Sequence, residues 1–219
     1  MKSHSTLTRY TYKITRFFLT PFIRFIWIKS TVGVEHIKKH KKAAIVAANH
    51  QSFFDFLCLV SATNKNIHFL SAEKFFKHKV WRILMIITGQ IKVERNSHDK
   101  SDVHMSVKQH LQKNNLVGIF PEGTRSPSAT EMLKAYTGVA RYALEHNVPV
   151  IPVGIKGAHD IHNKESKKLS FKKNVEIVIG EPLVFTYAEG DYLNKDILQD
   201  VTNVVMKEIA RLSGKNYPY

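Results

Sequence analysis

The stretch Asn49-His50-Gln51-Ser52-Phe53-Phe54-Asp55 sets an imidazole five positions ahead of a carboxylate. A histidine can take up a proton near neutral pH, and a carboxylate beside it fixes the ring tautomer and stabilises the imidazolium. Asp55 also fits a purely local role, because Ser52-x-x-Asp55 reads as a capping box at a helix start. That role leaves His50 unexplained. A His-x4-Asp pair carries little weight alone, so the neighbouring segments decide its meaning.

Three further segments keep it company. Gly118-Ile119-Phe120-Pro121-Glu122-Gly123-Thr124-Arg125-Ser126 reads as a buried strand running into a polar turn. Gly123 opens backbone conformations that aim N–H groups at an anion, and Arg125 offers a bidentate grip on phosphate. Gly89-Gln90-Ile91-Lys92-Val93-Glu94-Arg95 is another strand, ending in an arginine, and Val148 to Val153 is too apolar for chemistry of its own. Strand ends are where ligands bind in α/β sheets.

Taken in this order, the four segments resemble the glycerolipid acyltransferase family, whose bacterial members include 1-acyl-glycerol-3-phosphate acyltransferases. Residues 49–55 look like its His-x4-Asp block, Gly89 to Arg95 its second, Phe120 to Arg125 its Pro-Glu-Gly-Thr-Arg block and Val148 to Val153 its fourth. The resemblance covers about residues 35–180. It implies a glycerol-3-phosphate acyltransferase-like fold, with His50 as the base that deprotonates the acceptor hydroxyl and Asp55 as its orienting group. The alkoxide would attack the thioester of acyl-CoA or acyl-carrier protein directly. Arg95 would bind the acceptor phosphate with Arg125 as a second contact, while Glu122, Gly123 and Thr124 shape the acceptor site. The expected acceptor is lysophosphatidic acid, giving phosphatidic acid, and no cofactor is expected beyond the acyl carrier as co-substrate. Glycerol-3-phosphate or another lysophospholipid is the alternative acceptor. Many family members carry Phe-Lys-x-Gly after the third block. Here Gly138 matches the glycine but Lys134 is displaced, so it is read as a surface residue.

The remaining chemistry-bearing residues point elsewhere. Cys58 lies in Phe56-Leu57-Cys58-Leu59-Val60 and reads as core. No metal is expected: His98, His104 and His110 cannot share a helical face, and His159 and His162 lack a third ligand nearby. One cysteine also excludes a disulfide framework or a four-thiolate zinc site. Lys74 to Arg82 interleaves bases with aromatics, which suits a nucleic-acid strand or a lipid surface, but no nucleic-acid fold signature accompanies it. Nucleic acid is therefore not an expected partner. A non-catalytic basic membrane- or nucleic-acid-binding module is the different-class alternative.

The elements that must hold these residues alternate. Strands are expected at 43–48, 67–70, 91–93, 116–120, 148–155 and 175–179, and helices at 53–62, 80–87, 99–112, 136–146 and 194–212. That alternation predicts an α/β fold with a mixed, largely parallel sheet covered by helices. Residues 156–173 read as a lysine-rich solvated or membrane-facing loop. With 219 residues, seven Pro and ten Gly, the chain can bury a core and is neither disordered nor fibrous.

Charge shapes the N-terminus. The net charge is +15, and Lys2, Arg9, Lys13, Arg16, Arg24 and Lys29 all precede the first acid, Glu35. On a helix Leu7, Tyr10, Ile14, Phe17, Phe18, Phe22 and Phe25 share one side, with Arg9, Lys13, Arg16 and Arg24 adjacent. This is the pattern of a helix lying in a membrane surface that bears acidic lipids. The uncharged run from Phe17 to Ile23 is far short of the ~20 residues that span a bilayer, and Pro21 is expected to break or kink the helix, so that two short helices fit the segment. Residues 1–33 thus read as an amphipathic membrane-surface segment and 34–219 as the catalytic domain. The protein is expected at the cytoplasmic face of a membrane.

Overall fold

A computed structural model describes residues 6–94, 97, 99–163, 165, 168–186, 188 and 190–219. Among them a seven-stranded sheet runs β1 (Ile28–Val32), β7 (Val175–Ile179), β6 (Val150–Lys156), β2 (Ala44–Ala48), β5 (Leu116–Ile119), β3 (Ile67–Ala72), β4 (Ile91–Val93). Every neighbouring pair is parallel except β6 and β7. The expected mixed, largely parallel α/β sheet is what forms.

β2 lies near the middle, and all five of its residues are buried. Its continuous apolar run suits a strand covered on both faces. Ala44, Val46 and Ala48 enter one core, with Cys58 and Leu59 of α3 (Asp55–Thr63) and Ile23 of α1 (Thr6–Ile26). Ile45 and Ala47 enter the other, with Val103 and Val107 of α6 (Ser101–Gln112), Val139 of α7 (Gly138–Glu145) and Val205 of α9 (Lys195–Ser213). Asn194 caps α9 by accepting from the N–H groups of Asp196 and Ile197. Cys58 is fully buried as expected, and burial pushes its thiol up, away from thiolate chemistry.

The N-terminal segment departs from expectation in three ways. Residues 6–26 form a single helix, α1, which runs through Pro21. Proline removes one i→i−4 bond, to the carbonyl of Phe17. Phe17 is 73% exposed, so that carbonyl lies on the solvent side rather than in the core. Arg16 turns toward the protein and donates from Nη1 to Asn66 Oδ1 at 2.6 Å instead of joining the outward cations. Burial pulls its guanidinium down from its ordinary value. Finally, residues 28–32, expected within the N-terminal segment, form β1 and pair with β7. The α/β unit therefore begins before residue 33, and α1 is pinned to it: Tyr12 Oη donates to the Ile67 carbonyl at 2.7 Å.

Short helices also occur where none was expected: α2 (Val34–Lys39), α4 (Lys74–Lys77), ahead of α5 (Lys79–Ile87), and α8 (His159–His162). The last interrupts the lysine-rich stretch, which starts inside β6. Lys164 and Lys167 of that stretch lie outside the described residues.

Candidate active site

β2 ends at Ala48, and the chain then crosses the carboxyl edge of the sheet before α3 begins at Asp55. Asn49 stops the strand without letting the chain drift. Its side chain donates to the Ile155 carbonyl at 2.9 Å and accepts from the Ile155 N–H at 2.7 Å. A side-chain amide thus stands in for the peptide group that a longer strand would have supplied to β6.

Asp55 is fully buried, and its Oδ2 gathers three donors. His50 Nδ1 lies 2.8 Å away, the Gln51 N–H 2.7 Å and the Ser52 N–H 2.8 Å. Residues 50–52 are thereby folded around one oxygen. Half of the expected capping box forms: Asp55 takes the Ser52 N–H, but Phe54 is the N-cap residue and Ser52 Oγ accepts from the Phe54 N–H and donates to the His162 carbonyl, each at 3.3 Å. With Nδ1 held by a carboxylate, the imidazole has Nε2 as its basic atom. The ring stacks on Phe120 at 4.2 Å between centroids, which fixes its plane.

The Pro-Glu-Gly-Thr-Arg segment packs directly on this loop. The Ser126 N–H donates to the His50 carbonyl at 2.7 Å, and Gln51 Nε2 donates to the Ser128 carbonyl at 2.6 Å. Glu122 is buried, and its two oxygens serve different segments: Oε1 accepts from the His50 N–H at 2.7 Å, Oε2 from the Leu133 N–H at 2.8 Å. Burial pushes its carboxyl up to about 7, against the two N–H groups, which favour the charged form. Its carboxylate therefore ties the histidine loop to the segment leading into α7.

Gly123 has φ +66°, and its N–H donates to the Phe120 carbonyl at 2.9 Å, closing a turn. The positive φ is as its sequence context suggests, but this N–H is turned inward to the chain rather than toward an anion. Arg125 Nη1 donates to the carbonyls of Asn163 at 3.1 Å and His162 at 3.3 Å, so it fastens α8 to the site. Arg95 lies outside the described residues. Lys134 is exposed, as read from the sequence.

His50, Glu122, Gly123, Thr124 and Arg125 all line one cavity of about 770 Å³. It crosses the edge of the sheet. Phe53, Phe56, Phe75, Trp81 and Met85 make up an aromatic side, and Lys100, Val103, His104, Tyr136, Val139 and Tyr142 add a mixed polar and apolar lining. The aromatic side is knit together by Phe53, whose ring meets Trp81 at 4.8 Å and Phe75 at 5.3 Å between centroids. Burial pushes the Tyr142 hydroxyl up to about 12. Sequence reasoning marked Phe75 and Trp81 as an aromatic and basic stretch, but it passed over Tyr136 and Tyr142 as cavity residues and weighed His162 only as a metal ligand. Tyrosines at a helix start and within its apolar stripe give no signal of a cavity wall, and His162 matters through its carbonyl.

A base held by a carboxylate, facing a cavity lined by both aromatic and polar side chains, is an arrangement fit for moving a group between two amphipathic reactants. The chain belongs to the acyltransferase family, whose model matches residues 29–156, and it is an acyltransferase. It is 23% identical to a 1-acyl-sn-glycerol-3-phosphate acyltransferase of Bacillus subtilis, over 78% of this chain and 81% of that protein. It is 27% identical to the chloroplastic 1-acyl-sn-glycerol-3-phosphate acyltransferase LPAT1 of Arabidopsis thaliana, over 69% of this chain. That match spans 42% of the plant protein's length. The crystal structure of the 1-acyl-sn-glycerophosphate acyltransferase of Thermotoga maritima shares the fold. Its TM-score is 0.72 at 22% identity, covering 99% of this chain and 85% of that one.

Proposed function

We propose that this acyltransferase moves a fatty acyl group from acyl-CoA or acyl-carrier protein to the free hydroxyl of 1-acyl-glycerol-3-phosphate, giving phosphatidic acid. The observation that carries the reading is the 2.8 Å contact of His50 Nδ1 with buried Asp55, at the wall of a cavity lined by both aromatic and polar side chains. His50 Nε2 takes the hydroxyl proton as the acceptor oxygen attacks the thioester carbonyl carbon. The tetrahedral adduct collapses with cleavage of the carbon–sulfur bond, and the imidazolium returns the proton to the leaving thiolate. Asp55 supports the positive charge on the ring between these steps. Positioning two lipidic reactants supplies much of the rate, and the base supplies a further ~10²–10⁴.

Arg125, already braced against 162–163, faces the cavity as a phosphate contact, and Arg95 joins it in this reading. Glu122 acts through the backbone of His50 rather than on the acceptor. The outer face of α1 holds the protein on the anionic cytoplasmic leaflet. Tyr10, Ile14, Phe17, Phe18, Phe22 and Phe25 are exposed there, with Lys13 and Arg24 beside them. Among the described residues no helix is long and apolar enough to cross a membrane.

A donor-by-acceptor matrix on purified protein in mixed lipid micelles tests the reaction. Lysophosphatidic acid should give the fastest acceptor-dependent release of thiol. Faster turnover of glycerol-3-phosphate would replace the acceptor. Equal thiol release without any acceptor would make the chain a thioesterase.

A further inference from the structure

α5 faces two ways. Trp81 and Met85, one turn apart, line the catalytic cavity. Val80, Ile83 and Ile86 point away from it and are 70%, 62% and 54% exposed. At about 100° per residue these three centre nearly opposite the pair on the cavity side. Helices that cover a sheet normally turn polar residues outward, and this one does not. Residues 74–87 also carry Lys74, Lys77, Lys79 and Arg82 with no acid among them. The helix lies beside α1: Thr11 Oγ1 donates to the Ile87 carbonyl at 2.7 Å, and Leu84 shares a small cavity with Tyr12 and Leu19.

We propose that α4 and α5 form a second lipid-contacting surface, on the catalytic unit itself, through which the lysophospholipid passes from an anionic leaflet into the cavity. The proposal rests on the membrane reading of α1 and goes beyond it. One helix, about 10 Å across, separates the leaflet from the site. Val80, Ile83 and Ile86 enter the acyl region while Lys77, Lys79 and Arg82 meet headgroup phosphates. Phe53, inside the histidine loop, packs on Phe75 and Trp81, so the lipid's route passes beside the base. Charge favours a leaflet over a second copy of this chain as occupant: residues 74–87 carry four cations and no acid, Glu73 at their edge pairs with Lys77, and two copies of so basic a face repel.

Two readouts on the full chain test this. Buried Cys58 leaves an introduced thiol as the site of labelling, so Ile83→Cys is labelled with a polarity-sensitive fluorophore, and Lys207→Cys on α9 serves as the control. Vesicles of phosphatidylcholine with roughly a third phosphatidylglycerol should raise emission several-fold and shift it blue at 83 only. The second readout is transfer by Val80→Ser/Ile83→Ser/Ile86→Ser, using the acyl carrier that the unaltered chain accepts. Transfer to long-chain lysophosphatidic acid in those vesicles should fall about tenfold. Transfer to a short-chain, monomeric acceptor should stay within about twofold, and the matching triple leucine variant should keep both. An unchanged label at 83 overturns the proposal, as does an equal response of both acceptors. A shift in oligomeric state with equal loss on both acceptors would make the face a contact between copies. Failure of the unaltered chain to sediment with vesicles overturns the membrane reading of α1 as well, whereas sedimentation with a silent label at 83 overturns only the role of α4 and α5.

Discussion

The histidine loop and α1 invert each other. In the loop, polar groups are buried, and Oδ2 of Asp55 alone collects three donors. On α1, six large apolar side chains are exposed while Tyr12 and Ile23 hold the helix to the protein. Buried polar groups are tolerable only when paired, and exposed apolar groups call for an occupant. The loop satisfies most of its polar groups within the chain, leaving Asp55 Oδ1 and Gln51 Oε1 buried without a hydrogen-bond partner. The outer face of α1 is complete only against something else.

The largest effect should come from the base. His50→Ala is expected to lower acyl transfer by about 10³ with stability held within ~1 kcal/mol, read from kcat/KM and thermal melting. Asp55→Ala should lower transfer by ~10² or more and, unlike the histidine change, cost about 3 kcal/mol of stability, because three donors lose their acceptor. Equal melting of the two variants would break the view that Asp55 builds the loop as well as orienting the base.

Glu122→Gln probes the same region through pH. The Glu122 carboxyl, 4.5 in the unfolded chain, is pushed up to about 7 by burial. A raised acid binds its proton more tightly when folded, so its stability contribution is full below 4.5 and is lost as pH rises through about 7. The advantage of the unaltered chain over Glu122→Gln should therefore shrink by ~3 kcal/mol across that window, followed by melting at graded pH. A constant difference would mean that Glu122 is already ionised throughout.

On the other side of the comparison, Phe17→Ser/Phe18→Ser/Phe25→Ser should weaken vesicle binding about tenfold, measured by sedimentation, with stability changed by ~0.5 kcal/mol or less. Substantial unfolding would show that these rings pack on the protein after all. An effect of similar size is expected at Gly123. An added Cβ there would approach the Tyr136 ring to 2.7 Å in a φ of +66°, so Gly123→Ala should cost about 1–2 kcal/mol in denaturant titration.

Legibility in the sequence followed the same division. The strands at 91–93 and 175–179 form where predicted, because Ile91-Lys92-Val93 and Val175-Glu176-Ile177-Val178-Ile179 alternate more and less buried residues at the period of a strand. β1 escaped notice since Ile-Lys-Ser-Thr-Val has three polar residues in five and sits at the sheet edge, where only one flank must pair. Pro21 misled because local propensity is overridden when a helix is held by packing on both sides of the proline, here by Tyr12 and Ile23. His50 and Asp55 were readable from their spacing, and the fold brings them together. Glu122 and Arg125 were readable as site residues but not as braces, since a carboxylate facing two backbone N–H groups and a guanidinium facing two carbonyls depend on chain path. Backbone partners have no side-chain identity for a sequence to display.

Asn49 has one more consequence. Because its amide completes the β2–β6 ladder at Ile155, the catalytic loop is laced to the most buried part of the sheet. Its amides should then exchange with deuterium only when the whole sheet opens, at the slow global rate, whereas the ends of α1 exchange by local fraying. Heat should therefore free the ends of α1 first, while the histidine keeps its carboxylate until the sheet itself gives way.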